Sequence, residues 1–346
     1  MAKPGSKILL AHGSGGSLMH DLIKNLILPK FDNRLLNKLA DSATIEFKDR
    51  FSSRTGRPDN GLAFTTDSFV VDPLFFPGGD IGKLAVSGTI NDLVVSGAAP
   101  LYLSLALIIE EGLDFSLLER VLNSISLASR NSKVKIVTGD IKVVEKKACD
   151  KLFINTSGIG RIIANLGINK IKPGDKIIIT GRIAEHGLSI LSQRQGINFG
   201  SDIKSDCASL DNMLVPLLRK SKSIKFMRDP TRGGLATTLN EIALACKLGI
   251  AIEETSIPVA NQIRAAAELL GIDPLYIANE GKAVLVVESD SAGDTLRELN
   301  RYRQGKYARI IGSIVPRPKS TVMLRTAVGT SRILDMLTSE PLPRIC

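Results

Sequence analysis

Short apolar runs alternate with helical patterns along this sequence, in two series separated by the turn signal Pro173-Gly174-Asp175. The first series starts near Gly61, and the second restarts at Lys176. Mixed strands and helices in both series indicate an α+β or α/β chain. At 346 residues the chain is long for one core, so two domains are expected.

Hydrophobic periodicity predicts individual elements within each series. The predicted strands are residues 62–67, 101–109, 134–140, 152–160, 176–181, 283–287 and 308–314. The predicted helices are residues 82–97, 115–129, 235–247 and 259–270. Asp114 stands where a helix N-cap is expected.

The predicted domain boundary lies at residues 165–172, which gives a first domain of residues 1–168 and a second of residues 169–337. Residues 338–346 contain two prolines and no periodic pattern. We expect this segment to be a mobile tail that ends at Cys346, and extended chain of that length reaches at most about 30 Å.

Composition excludes several classes of protein. The longest apolar runs are too short to cross a bilayer, and the first residues lack a signal sequence, so no membrane association is expected. Four widely spaced cysteines and three histidines give no zinc-binding pattern, which suits a cytoplasmic chain with reduced thiols. The net charge of +10 is spread along the chain and no tryptophan is present, so nucleic acid is not expected as a partner.

Three aspartates occur in settings that composition alone does not explain. Asp67 and Asp140 each close an apolar β-like run, and Asp92 lies inside the apolar stretch 84–95. Each could be an ordinary turn cap or a member of a salt bridge. Together, flanked by small residues, they favour a site for Mg²⁺ and phosphate, to which Asn91 could add an amide ligand.

Glycine-rich segments could bind phosphate through backbone N–H groups, although a single such turn is usually only a loop. The candidates are residues 12–16 and residues 229–235, the latter opening with Asp229. Residues 77–84 resemble a P-loop only superficially, because Pro77 replaces the first glycine and Leu84 replaces the Ser/Thr. Residues 158–163 lack the third glycine of a dinucleotide-binding fingerprint, so any nucleotide is expected to be bound by neither common motif.

Three further residues carry candidate chemistry. Cys346 could be an incidental thiol, but its place at the end of a tail suits a carrier. Lys142 lies two positions beyond Asp140, so in a strand both side chains point to the same side. Glu280 precedes a predicted buried strand. Taken singly, Lys142 and Glu280 are more readily explained as surface charges.

These motifs together resemble the HypE family of hydrogenase maturation factors, in matching order along nearly the whole chain. The segments that carry the resemblance are LAHGSGG, TTDSFVVDPLFFPGGDIGKLAVSGTINDLVVSGA, VTGDIKVV, DKLFINTSGIG, RDPTRGGLA, NEGK and the final PRIC. The wider superfamily includes aminoimidazole ribonucleotide synthetase, selenophosphate synthetase and thiamine monophosphate kinase.

The resemblance implies two α+β domains of the aminoimidazole ribonucleotide synthetase type, the first of which binds ATP and forms a homodimer. It implies ATP and Mg²⁺ bound through Asp67, Asp92 and Asp140, with Asn91 and Asp229 also at the nucleotide. A HypF-type carbamoyltransferase would load the final cysteine with a carbamoyl group.

Dehydration of that carbamoyl group with ATP would then give a thiocyanate, and the cyanide would pass through a HypC–HypD complex to the iron of [NiFe]-hydrogenase. In this reaction Lys142 would stabilise developing negative charge, and Glu280 would take the nitrogen proton.

Two other functions are compatible with parts of the sequence. A small-molecule phosphotransferase such as selenophosphate synthetase shares the framework, but it carries a reactive cysteine or selenocysteine near its N-terminus, whereas the first cysteine here is Cys149. A nucleotide-regulated scaffold without catalysis would not need Cys346. An ATPase assay on carbamoyl-loaded protein separates this scaffold from an enzyme.

Overall fold

A computed structural model describes residues 7–13, 16–46, 61–197, 199, 203–337 and 344–346. Residues 14–15 of the glycine-rich segment 12–16 and residues 338–343 of the predicted tail lie outside the described residues. Among the helices that are described, none has the length and apolar character needed to cross a membrane.

The first half of the chain, up to residue 162, contains a five-stranded mixed sheet. Its elements are α1 (Ser17–Leu22), α2 (Leu28–Phe31), β1 (Ala43–Glu46), β2 (Gly61–Phe69), β3 (Phe75–Phe76), β4 (Gly79–Asp80), α3 (Ile81–Val95), β5 (Ala98–Glu110), α4 (Phe115–Asn131), β6 (Lys135–Val144) and β7 (Leu152–Ile162). The strand order is β1-β2-β7-β5-β6, with β5 and β6 parallel and the other neighbours antiparallel. The short strands β3 and β4 pair separately.

The second half forms a seven-stranded mixed sheet. Its elements are β8 (Lys176–Ile179), α5 (Glu185–Gln195), α6 (Asp211–Lys220), β9 (Ile224–Arg228), α7 (Gly234–Cys246), β10 (Gly249–Glu253), α8 (Asn261–Leu270), β11 (Val284–Val287), α9 (Ala292–Leu299), β12 (Arg309–Val315), β13 (Val322–Arg325) and β14 (Ser331–Ile333). The strand order is β14-β13-β10-β12-β8-β11-β9, in which only β10 and β13 run parallel.

The predicted α+β architecture with mixed sheets is confirmed. Each of the four predicted helices and seven predicted strands corresponds to an observed element, with ends that differ by a few residues. Asp114 does occupy the N-cap position of α4, but its side chain makes no capping hydrogen bond. The cap of α3 is Asp80, which accepts hydrogen bonds from the backbone N–H groups of Gly82 and Lys83.

The two faces of the first sheet have different surroundings. Helix α3 packs against β2 and β7, so Ala63, Thr65 and Phe69 of β2 are buried beneath it. Phe64 and Tyr102 lie on the other face, and both are exposed. We call these the helix-covered face and the open face. Because side chains alternate along a strand, each residue is committed to one of them.

Buried residues of both halves form one continuous hydrophobic cluster, which extends from Phe69 on β2 through Leu84 on α3 to Ile178 on β8. It also includes Ile345, near the last residue of the chain. A shared core of this kind fixes the two sheets relative to each other. Residues contributed by both halves can therefore form one site.

Candidate active site

Two carboxylates meet where the first sheet lies against α3. Asp67 points from β2 to the helix-covered face, and its side chain is hydrogen-bonded to that of Asp92 on α3. Thr65 donates a further hydrogen bond to Asp92, over 2.8 Å. Gly88 permits the close approach of the helix, since a Cβ at that position would lie 2.9 Å from the ring of Phe69. The sequence therefore brings two acidic side chains within hydrogen-bonding distance in a partly buried place.

The second half of the chain adds two more carboxylates to the same pocket. Asp229 follows β9 and Glu280 precedes β11, and these strands are neighbours in the second sheet. Both side chains line one pocket together with Asp67 and Asp92. Asp41, just before β1, adds a fifth carboxylate close enough to affect the pKa of Asp229. We call these five residues the acidic cluster.

Burial and mutual repulsion raise the pKa values of the acidic cluster. Burial raises the pKa of Asp229 to about 8, and the neighbouring Asp41 adds to the shift. The pKa of Asp92 is well above its ordinary value, first through burial and then through Asp67 and Asp229. The pKa of Glu280 is also raised well above its ordinary value, for the same two reasons. The cluster holds protons that a bound cation would displace.

Two guanidinium groups lie close to the carboxyl groups of the acidic cluster. Arg228 Nε lies 3.1 Å from Asp41 Oδ1, and its Nη1 lies 3.3 Å from a carboxylate oxygen of Glu241. Arg232 lines the pocket and lowers the pKa values of Asp67 and Glu280. Five carboxyl groups face two arginines, so displacement of the protons they hold would leave an excess of negative charge. Such a site favours a cation together with a polyanion that can use the arginines.

The donor set suits Mg²⁺, which binds through one or two carboxylates and completes its shell with water and phosphate oxygens. Asp67 and Asp92 provide the carboxylate pair. Within the described ranges, no three Asp, Glu, His or Cys side chains already surround one cation position. Asp67 and Asp92 would supply carboxylate oxygens to such an ion, and a nucleotide would supply phosphate oxygens.

Glu280 is held rigidly through its backbone. Its N–H donates to Asp206 Oδ1 over 3.1 Å, and its carbonyl oxygen accepts from Asn91 Nδ2 over 3.3 Å. Lys282 Nζ lies 2.9 Å from Asp206, which keeps that carboxylate charged in a buried place. The backbone is thus fixed from two sides, and the carboxyl group of Glu280 is directed to the pocket it lines.

Asn91 occupies a different place from the predicted one. Its Oδ1 accepts from the N–H of Leu210 over 2.8 Å, and its Nδ2 donates to the carbonyl oxygens of Ala208 and Glu280. The residue follows Gly88 by three positions on α3 but faces the loop at residues 206–210. Its side chain joins the two halves of the chain and does not line the pocket with Asp92.

Asp140 and Lys142 also lie apart from the acidic cluster within one chain. In the pairing register, Asp67 aligns with Gly139 through Thr156 and Leu105, so Asp140 belongs to the next row and to the open face. Lys142 Nζ lies 2.9 Å from Asp140 Oδ2, which agrees with the predicted same-side placement. Both side chains are about two-thirds exposed, at 64% and 68%. The expected convergence of Asp67, Asp92 and Asp140 does not occur within a single chain.

Cys346 lies at the acidic cluster. It is half-buried and lines the same pocket as Asp67, Asp92 and Glu280. A backbone oxygen of Cys346 accepts from the N–H of Val70, one residue beyond the end of β2. The final thiol therefore rests beside the carboxylates rather than in open solvent.

Sequence reasoning missed Asp41, because residues 31–46 were not recognised as part of a packed unit. The available signal was the alternation in Ala43-Thr44-Ile45 after Asp41-Ser42, which is the pattern of a short strand preceded by a polar turn.

Comparison with known proteins adds family information to this geometry. Models of the AIR synthase related protein family match residues 41–162 for the N-terminal domain and residues 172–325 for the C-terminal domain. The chain is 44% identical to the carbamoyl dehydratase HypE of Bradyrhizobium diazoefficiens over 340 residues, which cover 97% of this chain and 95% of that protein.

Two solved structures are also similar. One is a crystal structure of hydrogenase maturation protein HypE in complex with ATP, with 46% identity, a TM-score of 0.80 and coverage of 98% of this chain and 100% of that chain. The other is a crystal structure of a HypE–HypF complex, with 43% identity, a TM-score of 0.84 and coverage of 91% and 99%.

Proposed function

The chain belongs to the HypE family of carbamoyl dehydratases, enzymes of hydrogenase maturation, and from this premise we propose that it acts on a group carried by its own Cys346. The enzyme uses ATP to convert an S-carbamoyl group on this cysteine to an S-cyano group. The cyanide then becomes a ligand of the iron of [NiFe]-hydrogenase.

One observation carries this proposal: Cys346 lines the same pocket as Asp67, Asp92, Asp229 and Glu280. A carboxylate cluster with raised pKa values is a site for a cation and a phosphate-bearing ligand. A similar protein has been crystallised with ATP. A thiol at this place would present a bound carbamoyl group to a nucleotide without any external substrate.

The reaction removes water from the carbamoyl group. The amide oxygen attacks the γ-phosphorus of ATP, ADP leaves, and the nitrogen loses one proton. The second nitrogen proton then leaves as the C–O bond breaks and phosphate departs, so the thiocyanate forms with ADP and phosphate. Activation is needed because an amide oxygen is a poor leaving group, and phosphoryl transfer to it is driven by positioning and charge stabilisation.

The acidic cluster supplies the residues for these steps. Asp67, Asp92 and Asp229 would hold Mg²⁺ and the nucleotide, and the ion supplies neutralisation of phosphate charge. Glu280 takes a proton from the carbamoyl nitrogen. Its raised pKa makes it hold a proton before a cation binds, and the carboxylate left once a bound cation has displaced that proton would be a stronger base than an ordinary glutamate. Arg232 is placed to balance charge on departing phosphate.

The proposed partners follow from this chemistry. A HypF-type carbamoyltransferase loads Cys346, in keeping with the crystallised HypE–HypF complex of a similar protein. A HypC–HypD complex accepts the cyanide. We place these events in the cytoplasm, where thiols stay reduced.

We further propose that the enzyme is a homodimer in which the open faces of two first sheets meet. The open face exposes Phe64, Tyr102 and Ile159 in one row, an apolar surface that a second copy would cover. With a two-fold axis along the strands, β6 of each copy lies opposite β1 and β2 of the other. Asp140 and Lys142 of one copy would then reach the partner's nucleotide at the β1 edge of the partner's sheet, where Asp41 of the acidic cluster precedes that strand.

Intact-mass spectrometry of the carbamoyl-loaded protein tests the reaction. Addition of Mg·ATP should decrease the adduct mass by one water. Cys346→Ala should form no adduct yet retain nucleotide binding. Glu280→Gln should accept the carbamoyl group and bind ATP but convert it about a hundredfold more slowly. Glu268→Gln, an exposed glutamate of α8, is the matched control. An adduct on Cys346→Ala protein, or conversion by Glu280→Gln at the parental rate, would contradict the assigned role.

A further inference from the structure

The last three residues are bound mainly through their backbone. Arg194 Nη2 donates to the carbonyl oxygen of Arg344, and His186 Nε2 lies 2.6 Å from that of Ile345. The backbone N–H of Val70 donates to a backbone oxygen of Cys346 over 3.1 Å. The backbone oxygens of three consecutive residues thus each receive a donor, two from side chains of α5 and one from the segment after β2. Buried backbone oxygens need such partners, and here every one of the three has its own.

The tautomer of His186 is fixed by its neighbours. The carbonyl oxygen of Ile345 can only accept, so His186 Nε2 carries a proton and donates to it. Nδ1 of the neutral ring is then an acceptor for the hydroxyl of Ser205, 2.7 Å away, while Ser205 Oγ itself accepts from the N–H of Cys207 over 3.0 Å. The ring is fully buried with Phe76 edge-on against it, and burial lowers its pKa, so the neutral form persists.

Residues 77–80, which resembled part of a P-loop, support this arrangement. The N–H of Ser205 donates to the carbonyl oxygen of Pro77 over 2.8 Å. Gly78 has φ of +95°, and a Cβ there would lie 2.6 Å from the carbonyl oxygen of Ser205. The glycine is therefore needed for close packing of two backbones. The segment places Ser205, and through it the imidazole of His186.

Two side chains of the tail complete the binding. Ile345 is 1% exposed and belongs to the hydrophobic cluster shared by both halves. The guanidinium of Arg344 donates to the carbonyl oxygen of Val70 and forms an ion pair with Asp150. Arg194 also donates to the carbonyl oxygen of Asp72 over 2.8 Å, which ties it to the segment after β2. With the backbone and the other two side chains bound in this way, the side chain of Cys346 lies at the acidic cluster.

We infer that Val70, His186 and Arg194 form a receptor for the chain's own last three residues. The receptor binds the backbone oxygens of these residues and the fold buries the side chain of Ile345, and together these contacts position the thiol of Cys346. The inference rests on the proposed function, in which Cys346 carries the reacting group. His186 and Arg194 are positioning residues, because they act through the tail and not on the carbamoyl group. Docking also shields the thiol, so it opposes attack by external reagents and promotes conversion.

Docking should slow chemical modification of the thiol and speed conversion of the carbamoyl group, and both rates can be measured in the full-length chain. Arg194→Met removes the donor to Arg344 but keeps the length of the side chain, and Ile345→Ala removes the buried anchor. Each should raise the rate of iodoacetamide modification of Cys346, followed by peptide mass mapping, about tenfold, since charged hydrogen bonds and buried aliphatic groups contribute on that scale. Each should lower single-turnover conversion of the loaded protein with Mg·ATP by a similar factor.

Matched variants make the result specific. Arg194→Lys and Ile345→Val should restore most of both rates, and Arg219→Met, at an exposed position of α6, should change neither. A rise in modification with unchanged conversion would overturn the positioning role, and no change in either rate would overturn the receptor. Parental protein that never forms the cyano adduct would refute the dehydration itself, while the modification rates would still decide the receptor.

Discussion

The two faces of the first sheet present similar aspartates to opposite environments. Asp67, on the helix-covered face, has a raised pKa because it is buried, although the hydrogen bond with Asp92 opposes the shift. Asp140, one row further on the open face, has a lowered pKa because Lys142 is hydrogen-bonded to it in solvent. Both residues close an apolar run in the sequence, as TTD and VTGD. What covers a face, and not the local motif, decides whether an aspartate holds a proton or a salt bridge.

On the helix-covered side of the sheet, Asp92→Asn should cause the largest loss of ATP hydrolysis. The change keeps the shape of the side chain but removes a charge from the proposed Mg²⁺ and triphosphate site. We expect ATP hydrolysis to fall by about a hundredfold or more, with the fold retained, because the amide can still accept the hydrogen bond from Thr65.

A malachite-green assay and a melting curve on the same preparation measure both quantities. Asp114→Asn, an exposed position with no capping hydrogen bond, serves as the control. Parental hydrolysis by Asp92→Asn would make this residue structural.

Mixed dimers sharpen the comparison for the open face. Asp140→Asn should reduce conversion about tenfold or more without changing the melting temperature, because the residue is exposed here but proposed to face the partner's nucleotide. When Asp140→Asn is mixed with Cys346→Ser, conversion on the loaded chain should recover towards the parental rate. The Cys346→Ser partner lacks a carrier but supplies an intact Asp140. A mixture no more active than Asp140→Asn alone would show that the residue acts within its own chain or not at all.

The smallest expected effect is a pH dependence of stability in the absence of divalent cations. Asp229 has a folded-state pKa of about 8, above its ordinary value of 3.8, so the folded state retains its proton between these values. The contribution of protonated Asp229 to the free energy of unfolding is fully present below about pH 4 and is lost as the pH rises through 8.

Asp229→Asn cannot ionise. Its melting temperature in EDTA should therefore exceed that of the parent at pH 8 by several degrees, and by less at pH 5. Thermal scans across this range check the slope, and an equal difference at both pH values would contradict it.

Much of the fold follows from the sequence, because long periodic segments such as α4 and the strand containing Leu105 carry strong local signals. Helix α6 does not, since Pro216 lies inside it. The same limit applies to the site. Asp67, Asp92, Asp229 and Glu280 were identified as acidic residues in special settings, and tertiary packing joins them.

The open-face position of Asp140 depends on strand register and on which face a helix covers, which local patterns do not report. The resting place of Cys346 depends on donors to backbone carbonyl groups, and any residue at the last positions would provide those carbonyls. Sequence therefore predicts which residues can react more readily than where the chain holds them.

The docked thiol has a kinetic consequence. A substrate that is tethered to its own enzyme meets the site at an effective concentration, typically millimolar for a short linker, that does not change when the protein is diluted. Conversion is then first order and has no Michaelis constant for the carbamoyl group. The rates that depend on concentration are then those of the steps before and after conversion, in which the chain meets the proposed carbamoyl donor and the proposed cyanide acceptor. Because the inferred receptor contacts backbone oxygens and Ile345, we expect it to retain free, loaded and cyanated tails alike, so that exchange of the tail between this site and the proposed partners sets the turnover rate.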